Sequence, residues 1–261
     1  MLEYILDKET EIELEIVYSD CITIDNEQEL TTLPAPIFPT LLETVQLPAA
    51  PLCICHYKRS TYVGLENSTE ARIDSNYKLY ESFISYPSYA VQSLAIYKGN
   101  LYMLLHKPSS PLNSMLRGLA MSCKVRVCDM YGRETTHWYH SCSGFYCNVL
   151  TVVSDQVGIA DPPNKRVTVY SLTGQILRHV PCPLLSNLNT TATCAGDGDF
   201  IIVSDRGSSQ VFRFNINTGD VMWTYKGLHE PQGVTCYRRV VVVTSDDGSV
   251  KILDVKTGES L

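Results

Sequence analysis

Val167-Thr-Val-Tyr-Ser-Leu-Thr-Gly174 lines up with Val211-Phe-Arg-Phe-Asn-Ile-Asn-Thr-Gly219 and with Val250-Lys-Ile-Leu-Asp-Val-Lys-Thr-Gly258. Val125-Arg-Val-Cys-Asp-Met-Tyr-Gly132 is a weaker copy, so the four glycines fall 42, 45 and 39 residues apart. Each follows an alternating apolar run, where a glycine supplies the positive φ of a tight hairpin turn. A second register lies upstream. Gly158-Ile-Ala-Asp161, Ile202-Val-Ser-Asp205 and Val243-Thr-Ser-Asp246 each end a strand on an Asp, whose carboxylate can cap the following turn.

More strands flank each copy: Leu150–Ser154, Thr191–Ala195 and Gly233–Tyr237 upstream, then Gln175–Val180 and Asp220–Tyr225 downstream. Four strands per repeat of this length make one blade of a β-propeller. Cys53–His56, Thr61–Leu65, Glu70–Ile73 and Leu79–Ile84 form an earlier blade. Ser93–Tyr97, Leu101–Leu105, Lys124–Asp129 and Thr135–His140 form the next, with an insertion at Lys107–Ser122 and His106 where the other repeats carry the strand-end Asp. The expected fold is therefore an all-β propeller of four-stranded blades over 51–261, with five blades visible.

Residues 1–50 read as an acidic N-terminal segment and a Pro-rich linker. Residues 1–30 hold ten acids against Lys8 alone, which leaves 20 bases and 18 acids in the other 231 residues. The net charge of −7 thus describes a leader rather than the body of the protein. Prolines 34, 36, 39, 48 and 51 remove backbone donors and favour an extended connection. Residues 12–24 alternate as a hairpin would, turning at Ser19-Asp20, and could supply the strand missing from the last blade. Without an apolar run of membrane-spanning length or a signal-peptide pattern, the expectation is a cytoplasmic protein with no membrane partner. The ten dispersed cysteines then read as free thiols.

Residues 191–258 resemble the NHL repeat. Asp199-Phe-Ile-Ile-Val-Ser-Asp-Arg-Gly-Ser-Ser-Gln-Val-Phe-Arg-Phe214 and Glu230-Pro-Gln-Gly-Val234 carry the likeness, and 52–261 as a whole is similar to the C-terminal propeller of invertebrate tripartite-motif (TRIM-NHL) proteins. That resemblance implies six blades and a non-enzymatic, protein-binding recognition module, with RNA as the alternative partner. The ubiquitin-ligase activity of that family resides in a RING finger, and this chain has no paired C-x2-C ladder to carry over. Asn217-Thr-Gly-Asp-Val-Met-Trp223 resembles a quinoprotein blade, in which a Trp docks on the next blade. Ser249–Gly258 resembles a WD40 strand without the Gly-His and Trp-Asp marks.

Few constellations point to chemistry. His137, His140, Cys142 and Cys147 place two imidazoles and two thiols within eleven residues, the donor types zinc takes. Their spacing matches no common zinc module, and packing at a blade edge explains them equally. Asp161, Asp205 and Asp246 could ring a funnel as in six-bladed metal-dependent hydrolases, although turn capping accounts for their spacing without a ligand. No cofactor is expected, and the enzyme reading is the remote one. For RNA, the turns between second and third strands offer Lys107, Arg117, Lys165, Arg166 and Arg206 on one propeller face, against Glu70, Asp246 and Asp247, to meet phosphates.

Overall fold

The computed structural model describes residues 2–6, 12–17, 41–87, 89–106, 120–143, 149–185, 192–237 and 239–261. Three strands, β1 (Leu2–Leu6), β2 (Ile12–Val17) and β3 (Leu41–Gln46), pair antiparallel in that order. Five blades follow. The first is β4 (Pro51–Tyr57), β5 (Ser60–Leu65), β6 (Thr69–Asp74) and β7 (Leu79–Ser85). The second is β8 (Ala90–Tyr97), β9 (Asn100–His106), β10 (Ala120–Asp129) and β11 (Glu134–Ser143). The third is β12 (Leu150–Val153), β13 (Gln156–Asp161), β14 (Arg166–Ser171) and β15 (Ile176–Pro181). The fourth is β16 (Ala192–Asp197), β17 (Phe200–Asp205), β18 (Gln210–Asn215) and β19 (Val221–Tyr225). The fifth is β20 (Pro231–Tyr237), β21 (Val240–Ser245) and β22 (Val250–Asp254), with a single bridge from Leu253 to Ser260 in place of a fourth strand.

The first strands β4, β8, β12, β16 and β20 stack on one another in sequence order, as the inner strands of a propeller do. In the first four blades the second strand is covered on both sides, whereas β21 of the fifth is buried only at alternate residues. Hence Val157–Asp161 and Ile201–Asp205 are buried without interruption, the run of apolar residues that two-sided burial demands. The core is a series of seams. Val167, Val169, Ile201, Val203, Phe212 and Phe214 fill the one between the third and fourth blades, and Ile202, Val211, Trp223, Val241, Val243 and Leu253 the next.

One device fastens the seams. The hairpin between third and fourth strands carries Gly132, Gly174, Gly219 and Gly258 at φ of 84, 90, 82 and 73°. A side chain from the preceding blade's last strand lies on each. A Cβ added at Gly174 would be 2.5 Å from Trp138 Cδ2, and one at Gly258 2.7 Å from Trp223 Cδ2. Val180 takes that place over Gly219 at 3.0 Å and Ile84 over Gly132 at 3.3 Å. Both tryptophans of the chain therefore dock on the next blade, and Trp223 Nε1 also donates to the Val255 carbonyl at 2.9 Å. In the first blade, Tyr77 (φ 60°) stands where the others have glycine, its N–H on Asp74 O at 3.0 Å. Tyr77 packs instead with Val45, Leu47 and Ala49, which cover Val63, Leu65, Ala71 and Ile73.

Three sequence expectations change. Five blades are present among the described residues, without the sixth that the NHL resemblance implies. Ile12–Val17 pairs with β1 and β3 rather than with β22, because its alternation already matches strands on both sides; residues 18–24 lie outside the described residues. The end of the expected insertion is strand: Ala120, Met121 and Ser122 extend β10 and pair with Ser143, Cys142 and Ser141.

Candidate functional site

The turns between second and third strands form the face on which sequence placed its basic residues. Asp161 ends β13 fully buried and accepts Asn164 Nδ2 at 2.7 Å and Arg166 Nε at 3.1 Å. One 3-10 turn, Pro162–Asn164, carries the chain across, and Lys165 closes it at φ 48° with its N–H on Pro162 O. Asp205 is equally buried and caps its own turn, accepting Gly207 N at 3.1 Å and Ser208 Oγ at 2.9 Å. These carboxylates are engaged by their turns, which is what a strand-end Asp does when local donors converge on it.

The third member of the series is displaced. Asp205 pairs in register with Gln210, and the corresponding residue at the end of β21 is Ser245, not Asp246. Asp246 is exposed and accepts Gln232 Nε2 at 2.9 Å. In the second blade Leu105 opposes Lys124 as Asp161 opposes Arg166, so Leu105 rather than His106 holds the position. A ring of one carboxylate per blade is therefore not built.

Of the five basic candidates, Lys107 and Arg117 lie outside the described residues. Arg166 is tied to buried Asp161. Arg206 bridges two blades, donating from Nη2 to Glu230 Oε2 at 2.6 Å and reaching Asp246 at 3.5 Å. The hydrogen bond to Glu230 holds its guanidinium above the ordinary arginine range. Lys165 is exposed. Asp247, kept below the usual carboxylate range by hydrogen bonds from Ser249, adds negative charge beside Asp246.

The metal-type cluster is divided by strand geometry. Period-two alternation puts His137 and His140 on opposite faces of β11. His137 is exposed, with Nδ1 2.6 Å from Glu134 Oε1, whereas His140 is buried with Nδ1 2.7 Å from the Tyr170 hydroxyl. The side chain of Cys142, and Cys147 altogether, fall outside the described residues. Among the described residues no three His, Cys, Asp or Glu side chains are placed to hold a metal ion, and no helix is long and apolar enough to cross a membrane.

A feature that sequence reasoning missed lies on the outer rim. Ile176 and Leu177 start β15, and Val221 and Met222 start β19; all four are exposed, Ile176 and Met222 by more than half. Tyr139 on β11 and Tyr131 in the preceding hairpin are exposed too, Tyr131 by 82%. Outer strands of three consecutive blades thus present large apolar side chains. The signal was there in an apolar pair two residues after the hairpin glycine, Gly174-Gln-Ile-Leu and Gly219-Asp-Val-Met.

No protein-family model matches the chain, and no curated protein matches it in sequence. Its fold is similar to solved structures. The WD40 domain of Neurospora crassa Pan2 superposes with a TM-score of 0.58 at 8% identity, over 82% of this chain and 65% of that one. The computationally designed Ika8 protein gives 0.54 at 18% identity, over 83% and 62%. BamB from Moraxella catarrhalis gives 0.49 at 14%, over 85% and 78%. The chain spans less than two thirds of the Pan2 domain and of the designed protein. At 8% and 18% identity, the likeness to the Pan2 domain and to the designed protein shows the β-propeller fold alone.

Proposed function

We propose that this propeller is a non-enzymatic, protein-binding recognition scaffold working without a cofactor. The carrying observation is the rim: Tyr139, Ile176, Leu177, Val221 and Met222 stand in solvent on outer strands, with Tyr131 in the hairpin beside them, and tyrosine and methionine are types enriched where proteins meet. Outer strands also have a free backbone edge. The edge of β19, Val221-Met-Trp-Thr-Tyr225, contains no charge or proline to discourage an added strand. Within this reading, the likeness of Asp199–Phe214 and Pro231–Val234 to NHL repeats supports a partner-recognition role of the TRIM-NHL type.

The test compares two sets of variants in cross-linking pull-downs with identification of the partner. Leu177→Glu/Met222→Glu should abolish capture of a defined protein, while Lys165→Glu/Arg166→Glu/Arg206→Glu should retain it. Retention of RNA at low salt, falling steeply as salt rises and vanishing in the triple variant, would overturn the reading in favour of RNA recognition.

A further inference from the structure

Glu70 is the one acid on the third-strand position that Val125, Val167, Val211 and Val250 take in the other blades. It lies on β6 opposite Gly64, in the seam between the first and second blades. There a Cβ at Gly64 would come within 2.6 Å of Cys53 Sγ and 2.7 Å of Val91 Cγ1. Glu70 is 0% exposed, and neither carboxylate oxygen has a hydrogen-bond partner among the described residues. A carboxylate in that state is costly to ionise unless water or a cation reaches it.

The titratable groups around it do not supply that cation. Cys53 and Cys55 of β4, Tyr62 of β5, Tyr86 after β7 and Cys128 of β10 all feel its charge, and each has its proton held more tightly, chiefly through burial. The two nearby guanidiniums are parked on rings. Arg72 Cζ lies 4.4 Å from the centre of Tyr80 and 5.4 Å from that of Phe83, and Arg126 lies over Tyr86 at 4.8 Å while pairing with Glu134. The second blade closes the seam with Val91, Leu94, Leu101 and Met103, which offer the carboxylate nothing.

We propose that the seam between the first and second blades is operated by a proton on Glu70. With the carboxyl neutral the two blades pack; with the proton gone the seam must open for water to reach the charge. Burial holds this carboxyl up at about 8, so opening grows through neutral and mildly alkaline pH. The inference is independent of what docks on the rim.

Native-state hydrogen exchange of the full chain and of Glu70→Gln, read as their ratio so that the intrinsic pH dependence of exchange cancels, is the test. In β5, β6 and β9 the wild-type rate relative to the variant should climb with pH, by up to about tenfold per unit below pH 8, and then level off. In β13 and β17 the ratio should stay flat. A ratio in the first seam that does not change with pH overturns the proposal, as does an equal rise in all blades, which would mean global unfolding. Should Glu70→Gln not fold, iodoacetamide labelling in the wild type decides. Cys53, partly buried in this seam, should gain on Cys182, a buried thiol in the third seam, as pH rises from 6 to 8; parallel labelling sinks the idea.

Discussion

The first and fourth seams join blades of the same topology by opposite chemistry. Between the fourth and fifth blades, Trp223 lies flat on Gly258, donates its indole N–H to Val255 and is surrounded by Ile202, Val211 and Val243. Between the first and second, the smaller Ile84 touches Gly132, and the interior holds Glu70 with three thiols nearby. The fourth seam has every buried polar group of its tryptophan matched, whereas the first contains an acid whose neutrality is a condition of packing. One repeat can thus be stabilised by shape at one joint and made condition-dependent at another, with no change in strand order.

The comparison can be broken most forcefully at the tryptophan. Trp223→Ala removes the largest side chain of the fourth seam and should cost about 3–5 kcal/mol in denaturant unfolding. Ile84→Ala, its counterpart in the first seam, should cost less, about 2–4 kcal/mol; the reverse order would show that clamp size does not set seam strength. Gly174→Ala attacks the same device from the other partner. Its Cβ would meet Trp138 at 2.5 Å on a backbone at φ 90°, so a loss of about 2–4 kcal/mol is expected from clash and left-handed strain together.

Asp205→Ala should cost about 1–2 kcal/mol, because Gly207 N and Ser208 Oγ lose the buried carboxylate that caps their turn. Asp246→Ala should cost less than 0.5 kcal/mol, about the range of an exposed substitution, and chemical denaturation of the pair measures the difference. The Glu70→Gln variant sharpens the contrast between seams through pH. The native carboxyl keeps its proton up to about 8, while the unfolded chain releases it in the ordinary carboxylate range. Wild-type stability is therefore lost as pH rises between those two values and flattens above the upper one. Melting curves should show the variant level with wild type at pH 4 and clearly higher at pH 8, by about 2–4 °C for each kcal/mol of the linked loss that it escapes. Arg206→Ala should also cost little, under about 1 kcal/mol, because its ion pairs to Glu230 and Asp246 are open to solvent screening.

The strands and hairpins were legible because their signals are local. Alternation marks a strand, and a glycine after it marks a turn that needs positive φ, so Gly174, Gly219 and Gly258 could be aligned from sequence. Asp161 and Asp205 were legible as caps for the same reason. Asp246 was not, since Ser245-Asp246-Asp247 offers three polar residues and only ladder pairing shows that Ser245 ends β21. The docking of Trp223 could be read from its blade, but Trp138 looked unrelated; their shared role emerges only when each is set against the glycine of the following hairpin. Glu70 reads in the sequence as an acid of the turn face that opposes the basic residues, whereas the structure buries it in the first seam. Its separation from every donor depends on Arg72 and Arg126 being drawn to Tyr80, Phe83 and Tyr86, contacts that no spacing rule encodes. The rim escaped notice because exposure of an outer strand is a property of the array, not of the segment.

The glycine clamps also bear on how the chain reaches its native state. Trp138 and Gly174, like Trp223 and Gly258, are roughly 35 residues apart, so each joint closes a loop at a modestly lower entropy cost than a contact between distant ends would. Contacts of this range favour fast, local ordering. Assembly can then proceed as in a linear array, one unit templating the next. A lesion in one clamp would leave its consequences mainly in two neighbouring blades, and partial unfolding would start at the weakest joint and stop at the next tryptophan.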